Sequence, residues 1–162
     1  MSEESQDAVP LAERYDVAML DLDGVVYRGD QAVDGAVEAL AGARELGMDR
    51  VFVTNNASRT PATVAAQLSG LGGPAGDADI VTSAQAAAGR LVQLLPAGSR
   101  VLVVGGDGLV QALTERGLQP VGSADDEPVA VVQGFSPTTT WQMLMEACIA
   151  VRAGRPWVVT NA

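Results

Sequence analysis

Short β-branched runs alternate with longer amphipathic stretches along almost the whole chain. Residues 16–22 (DVAMLDL) read as a buried strand, and residues 35–46 as a helix with Ala36, Ala39, Leu40, Ala43 and Leu46 on one face. Residues 50–53 read as a second strand. Thr60 then caps a helix opened by Pro61, with Val64, Leu68 and Leu71 on its inner face. Further strands are expected at 80–81, 100–104, 130–133 and 157–160, and helices at 84–95, 109–116 and 140–153. Apolar strands without alternation, each followed by a helix, belong to a parallel sheet covered on both faces. The expected class is α/β. A glycine-rich stretch at 71–79 (LGGPAGDAD) marks a hinge between two units.

Composition narrows the chemistry. A chain of 162 residues suits one large domain or two small ones. Twenty Asp and Glu against ten basic residues leave a net charge of −10, which repels a phosphate backbone. The basic residues are scattered singly, so nucleic acid is not an expected partner. No apolar run approaches a membrane span, and the acidic start (MSEESQDAV) lacks the positive flank of a signal peptide. A cytoplasmic protein with no membrane partner is expected. Cys148 is the single cysteine, which leaves no intrachain disulfide and no thiolate zinc site. The absence of histidine excludes Ser-His-Asp and Cys-His catalysis. All ten basic residues are arginine, so Schiff-base chemistry and a lysine-bearing phosphate loop fall as well. Chemistry is left to carboxylates, hydroxyls, amides, arginine or a hard metal.

Asp21-Leu22-Asp23-Gly24 directly follows the first apolar strand. Side chains two apart on a strand share a side, so Asp21 and Asp23 can converge beyond its carboxyl end, where open α/β sheets bind ligands. Two such carboxylates suit a magnesium ion completed by water and phosphate oxygens. An Asp- and Gly-rich turn that merely ends a strand is the plainer reading. The second strand repeats the pattern, Val51-Phe52-Val53-Thr54-Asn55-Asn56, placing a hydroxyl and two amides at a neighbouring strand end. Such groups donate to phosphate oxygens without adding charge, although they also serve turns and caps.

DLDGVVYRG followed about thirty residues later by VFVTNNASRT resembles the haloacid dehalogenase superfamily, and within it the p-nitrophenyl-phosphatase-like subclass that includes glycerol-phosphate and phosphoglycolate phosphatases. The resemblance implies a Rossmann-like core with an inserted α/β cap. It implies that Asp21 is a nucleophile, Asp23 a general acid and base, and Thr54, Asn55 and Asn56 phosphate-binding residues. Asp21 and Asp23 would hold Mg2+, Asp23 through its main-chain carbonyl. The implied activity is hydrolysis of a small phosphorylated metabolite through an aspartyl-phosphate, and pairing of two copies through the cap is suggested.

The chain departs from that family in having no lysine and no GDxxxxD motif after the cap. It therefore reads as an N-terminal fragment, short of a second core half of roughly another 100 residues, with little or no activity alone. The expected division is a flexible acidic terminus at 1–14, the first half of the core at 15–78 and the cap at 79–162. The rival reading is a non-catalytic module that binds phosphorylated ligands or nucleotides. Val101 to Gly108 (VLVVGGDG) has part of a dinucleotide fingerprint, but Gln111 stands where its third glycine belongs, and a tight strand-to-helix turn is the simpler reading. Trp141, Leu144, Met145, Cys148 and Ile149 fall on one helical face and read as core. Asp125, Asp126 and Glu127 read as a solvated loop with at most weak affinity for calcium, and Arg28 and Arg59 as surface arginines near the two motifs.

Overall fold

The computed structural model describes residues 9–73 and 75–161. In chain order the elements are β1 (Val17–Asp21), β2 (Tyr27–Arg28), β3 (Gln31–Ala32), α1 (Ala36–Glu45), β4 (Asp49–Thr54), α2 (Pro61–Gly70), β5 (Ile80–Thr82), α3 (Ser83–Leu94), β6 (Arg100–Val104), α4 (Asp107–Glu115), β7 (Gln119–Val121), β8 (Ala130–Gln133), α5 (Trp141–Arg152) and β9 (Trp157–Val159). They form two parallel sheets, ordered β1-β4-β5 and β7-β6-β8-β9, and a small antiparallel hairpin of β2 and β3. Parallel pairing requires helical crossovers, and the alternation of strand and helix supplies them. The α/β expectation holds.

The first sheet owes its alignment to a β-α-β repeat. Asp21 of β1 pairs with Val53 of β4, and Thr54 pairs with Thr82 of β5, so the carboxyl ends of all three strands stand level. Residues 80–82, which the expected division at 78/79 assigns to the second unit, pair as β5 with β4, because α2 returns the chain parallel to it. Of the expected flexible terminus, residues 1–8 lie outside the described residues, and Leu11–Glu13 form one 3-10 turn.

Helix α2 starts where the sequence says it should. The Thr60 side chain accepts the Thr63 N–H, and Pro61 occupies the first turn, where its missing N–H costs nothing. Val64 and Leu68 then pack with Phe52, Leu22, Tyr27 and Ile80 in one buried cluster. The full burial of Phe52 and Leu68 is worth about 1.5–3 kcal/mol each. Strand β1 is less covered than expected. It is an edge strand with alternating burial, and Met19 is 76% exposed.

The central strands of the second sheet, β6 and β8, are buried on both faces. Val101, Leu102, Val104, Val131 and Val132 are fully enclosed, as runs without alternation require. One of its faces packs α3 and α4, the other α5. Helix α5 corrects the expected core face. Ala147 and Ala150 meet the sheet, while Trp141, Leu144, Met145, Cys148 and Ile149 are exposed. A helix apolar on most of its circumference gives no unique inner face, and the small alanine face permits the closest approach to the strands. No helix among the described residues is long and apolar enough to cross a membrane.

Candidate phosphate and metal site

Strand β1 ends at Asp21, and the chain then turns sharply. The Leu22 carbonyl accepts the N–H groups of Val25, Val26 and Tyr27, while the Gly24 N–H donates to the Tyr27 carbonyl at 2.7 Å. This winding places Gly24 at φ +81°, a conformation a Cβ resists. Leu22 is driven inward and fully buried, so its neighbours Asp21 and Asp23 are left exposed on the outside of the turn. One Asp21 oxygen, Oδ1, accepts the Leu22 N–H at 2.8 Å, which orients the carboxylate.

The level register brings Thr54 to the same end of the sheet, one strand away. Its side chain is buried, and Oγ1 accepts the Asn56 N–H at 3.1 Å. Oδ1 of Asn56 in turn accepts both the N–H and the Oγ–H of Ser58, each at 2.8 Å. The Asn55 carbonyl accepts from Ser83 Oγ at 2.8 Å. With their acceptor oxygens so engaged, Thr54 retains a hydroxyl proton and Asn56 an NH2 group, both donors without charge. The structure thus places the acid pair and the Thr-Asn-Asn run on adjacent strand ends.

Magnesium prefers oxygen donors, with one or two carboxylates and the rest of its shell from water or phosphate. Asp21 and Asp23 fit that set, since both are exposed and neither takes part in the ion pair between Arg100 and Glu127. No group of three or more acidic, cysteine or histidine side chains that could form a metal cage occurs among the described residues. The 125–127 loop is no exception, because Glu127 is turned to Arg100 at 3.2 Å.

Two side chains join this picture from outside the motifs. Tyr27 is buried beside the acid pair, and its hydroxyl is pushed above its ordinary pKa, first by burial and next by the Asp23 charge. Asp21 adds to the rise and the Arg59 guanidinium opposes it. Arg59 donates to Gln67 Oε1, and Gln67 Nε2 reaches the Gly29 carbonyl at 3.4 Å. Arg59 and Arg28 are both exposed, and the Arg59 charge is felt at Tyr27.

A profile of haloacid dehalogenase-like hydrolases matches residues 18–119, which include both motifs and the turn after β6. The chain belongs to this family. It is 47% identical over 151 residues to the D-glycerol 3-phosphate phosphatase of Mycobacterium tuberculosis, across 93% of this chain and 42% of that protein. It is 35% identical over 150 residues to the acid sugar phosphatase of Staphylococcus saprophyticus, across 92% of this chain and 56% of that protein. The crystal structure of the mycobacterial glycerol phosphate phosphatase in complex with magnesium superposes with a TM-score of 0.88, over 93% of this chain and 45% of that one. A p-nitrophenyl phosphatase from Archaeoglobus fulgidus superposes at 0.77 with 26% identity, over 90% of this chain and 54% of that one. The chain spans about half the length of the curated relatives it matches.

Within this haloacid dehalogenase-like fold, reading the sequence missed Tyr27 and the hydrogen bonds from Ser83 and Ser58. The Tyr27 signal was available, since it lies in the same segment as the acid pair. The Ser83 contact has no local signal, because it joins residues 28 apart.

Proposed function

We propose that this chain carries the nucleophile and phosphate-binding half of a magnesium-dependent phosphomonoesterase. The observation that carries the reading is that Asp21 ends β1 and Thr54 ends the adjacent β4, with exposed Asp23 in the turn after the one and Asn56 in the loop after the other. Asp21 and the main-chain carbonyl of Asp23 would hold Mg2+, which neutralises charge between an anionic carboxylate and an anionic phosphate. Thr54 Oγ1–H and the Asn56 NH2 group donate to the phosphoryl oxygens, with Asn55 beside them, and add no charge that would have to be desolvated.

Asp21 attacks phosphorus through a carboxylate oxygen. The P–O bond to the leaving alcohol breaks as the new acyl-phosphate bond forms, and Asp23 gives its proton to the departing oxygen. Asp23, now ionised, takes a proton from water, whose oxygen attacks the phosphoryl group and releases Asp21 and inorganic phosphate. The substrate class is a small phosphorylated metabolite. The glycerol phosphate and sugar phosphatase activities of the relatives point the same way. In this reading residues 83–161 form the cap over the site, and pairing of two copies through it remains part of the proposal.

The test is intact-mass spectrometry after incubation with p-nitrophenyl phosphate and Mg2+. Wild-type chain is expected to gain one phosphoryl group, and Asp21→Asn none. Asp23→Asn should accumulate the adduct, because p-nitrophenol leaves without an acid but hydrolysis still needs the base. An adduct that persists in Asp21→Asn would overturn the assignment of the nucleophile.

A further inference from the structure

The Gly105-Gly106-Asp107-Gly108 turn after β6 has no place in the chemistry above, yet it sits against the chain that follows the phosphate-binding run. A Cβ on Gly106 would stand 2.7 Å from the Ser58 carbonyl oxygen. One on Gly108 would stand 2.5 Å from the Arg59 carbonyl oxygen and 2.6 Å from that of Ala57. Real Cβ atoms do not approach backbone oxygen so closely, and a carbonyl cannot swing aside as a side chain can. The Gly108 N–H also donates to the Ser58 carbonyl at 3.2 Å, which satisfies one of the unpaired donors at the start of α4. From the other side, a Cβ on Gly134 would meet the Ala57 methyl at 2.8 Å. Ala57 is buried within the apolar cluster of the second sheet although it lies only three residues beyond β4.

We propose that Gly106 and Gly108 are positioning residues for the phosphate-binding run, holding the backbone of residues 57–59 against the second sheet so that Thr54 and Asn56 keep their donors aimed. The proposal rests on the phosphate-binding reading of those residues. The connection is short and continuous. Gly108 fixes the Ser58 backbone, the Ser58 N–H and Oγ–H fix Asn56 Oδ1, and the Asn56 N–H fixes Thr54 Oγ1. Ser83 holds the Asn55 carbonyl from α3. The second sheet thus reaches the phosphate run through main-chain contacts that only glycine permits. It also accounts for the glycine pattern without a dinucleotide, since the space a pyrophosphate would need is occupied by residues 57–59.

Two readouts on the chain test this, with Gly122→Ala as control because a Cβ there meets nothing within 4 Å. The first is NMR-detected amide exchange. Gly108→Ala should speed exchange at Asn56 and Ser58 while leaving Leu102, Val104 and Val132 protected. Unchanged exchange at Asn56 and Ser58 would overturn the proposal. The second is calorimetric titration with Mg2+ alone and with inorganic phosphate in the presence of Mg2+. Gly108→Ala should weaken phosphate binding on the order of tenfold, as displacement of a positioning group does, while Mg2+ affinity at Asp21 and Asp23 stays as in the wild type. Equal loss of both affinities would mean general destabilisation and would overturn the proposal. Where Gly108→Ala also loosens β6 and β8, Gly106→Ala, whose added Cβ faces only the Ser58 backbone, decides on the same criteria. A wild-type chain that binds no phosphate would defeat the phosphate reading itself, and the exchange result alone then decides the contact.

Discussion

Single residues already display the logic of the site. Leu22 has to be buried and Asp21 and Asp23 do not, so the turn that follows β1 rotates one apolar side chain inward and two carboxylates outward. Gly24 makes that turn at φ +81°. Gly24→Ala is expected to cost about 1–2 kcal/mol, the penalty for a Cβ in the left-handed region, read as a lowered denaturant midpoint. Tyr27 supplies a pH signature. Its phenol is raised by burial, then by Asp23 and by Asp21, and is lowered by Arg59. A group whose folded pKa lies above its unfolded value contributes stability that is fully present below the unfolded pKa, and loses it as pH rises through the folded one. Stability should therefore fall above about pH 10, the ordinary tyrosine value. In a phenolate absorbance titration one step should fall above the ordinary tyrosine value, and Tyr27→Phe should remove it. That Asp21 and Thr54 end neighbouring strands was legible in sequence because each closes an apolar run, and strand ends are where an open α/β sheet presents ligand groups.

Elements were legible in proportion to how strongly one local rule governed them. Thr60-Pro61 opens α2 as expected, whereas the reciprocal cap on α3 was not anticipated: the Thr82 hydroxyl accepts the Gln85 N–H at 3.2 Å, and the Thr82 N–H donates to Gln85 Oε1 at 2.9 Å. Thr82→Ala should destabilise by about 1 kcal/mol, within the usual range for a lost N-cap, measurable by thermal denaturation. The two-residue strands β2 and β3 and the proline-bearing β7 escaped notice because runs that short carry no period. Helix α5 was placed correctly and turned the wrong way. Periodicity locates an apolar stripe, but only the neighbouring sheet decides that Ala147 and Ala150, rather than Trp141 and Ile149, lie beneath. The interlocking of Gly106 and Gly108 with residues 57–59 had no sequence signal either, since it joins segments about fifty residues apart.

At the scale of the whole molecule the two sheets differ in cover. The central strands β6 and β8 of the second are enclosed on both faces, whereas β1, an edge strand of the first, leaves Val17 and Met19 exposed. Unpaired, apolar edges invite pairing with other chains, and a charge placed there suppresses it. Met19→Lys should raise the concentration at which the chain stays monomeric by light scattering, with its denaturation midpoint unchanged, because a side chain 76% exposed contributes little to the core. Association that persists in Met19→Lys would place the contact away from the β1 edge. Asp21 and Thr54 end neighbouring strands of the first sheet, and the segment after Thr54 meets the second unit at Ala57, within its apolar cluster, and at Ser58, whose carbonyl accepts the Gly108 N–H.

Asp21, Asp23 and residues 54–56 are proposed to form one magnesium and phosphate site, which an amide NMR titration can resolve residue by residue, first with Mg2+ and then with inorganic phosphate. Mg2+ should shift Leu22, Asp23 and Gly24, and phosphate should then shift Asn55 and Asn56 only when Mg2+ is present. Shifts confined to residues 105–108 or 125–127, or phosphate binding indifferent to Mg2+, would contradict the account.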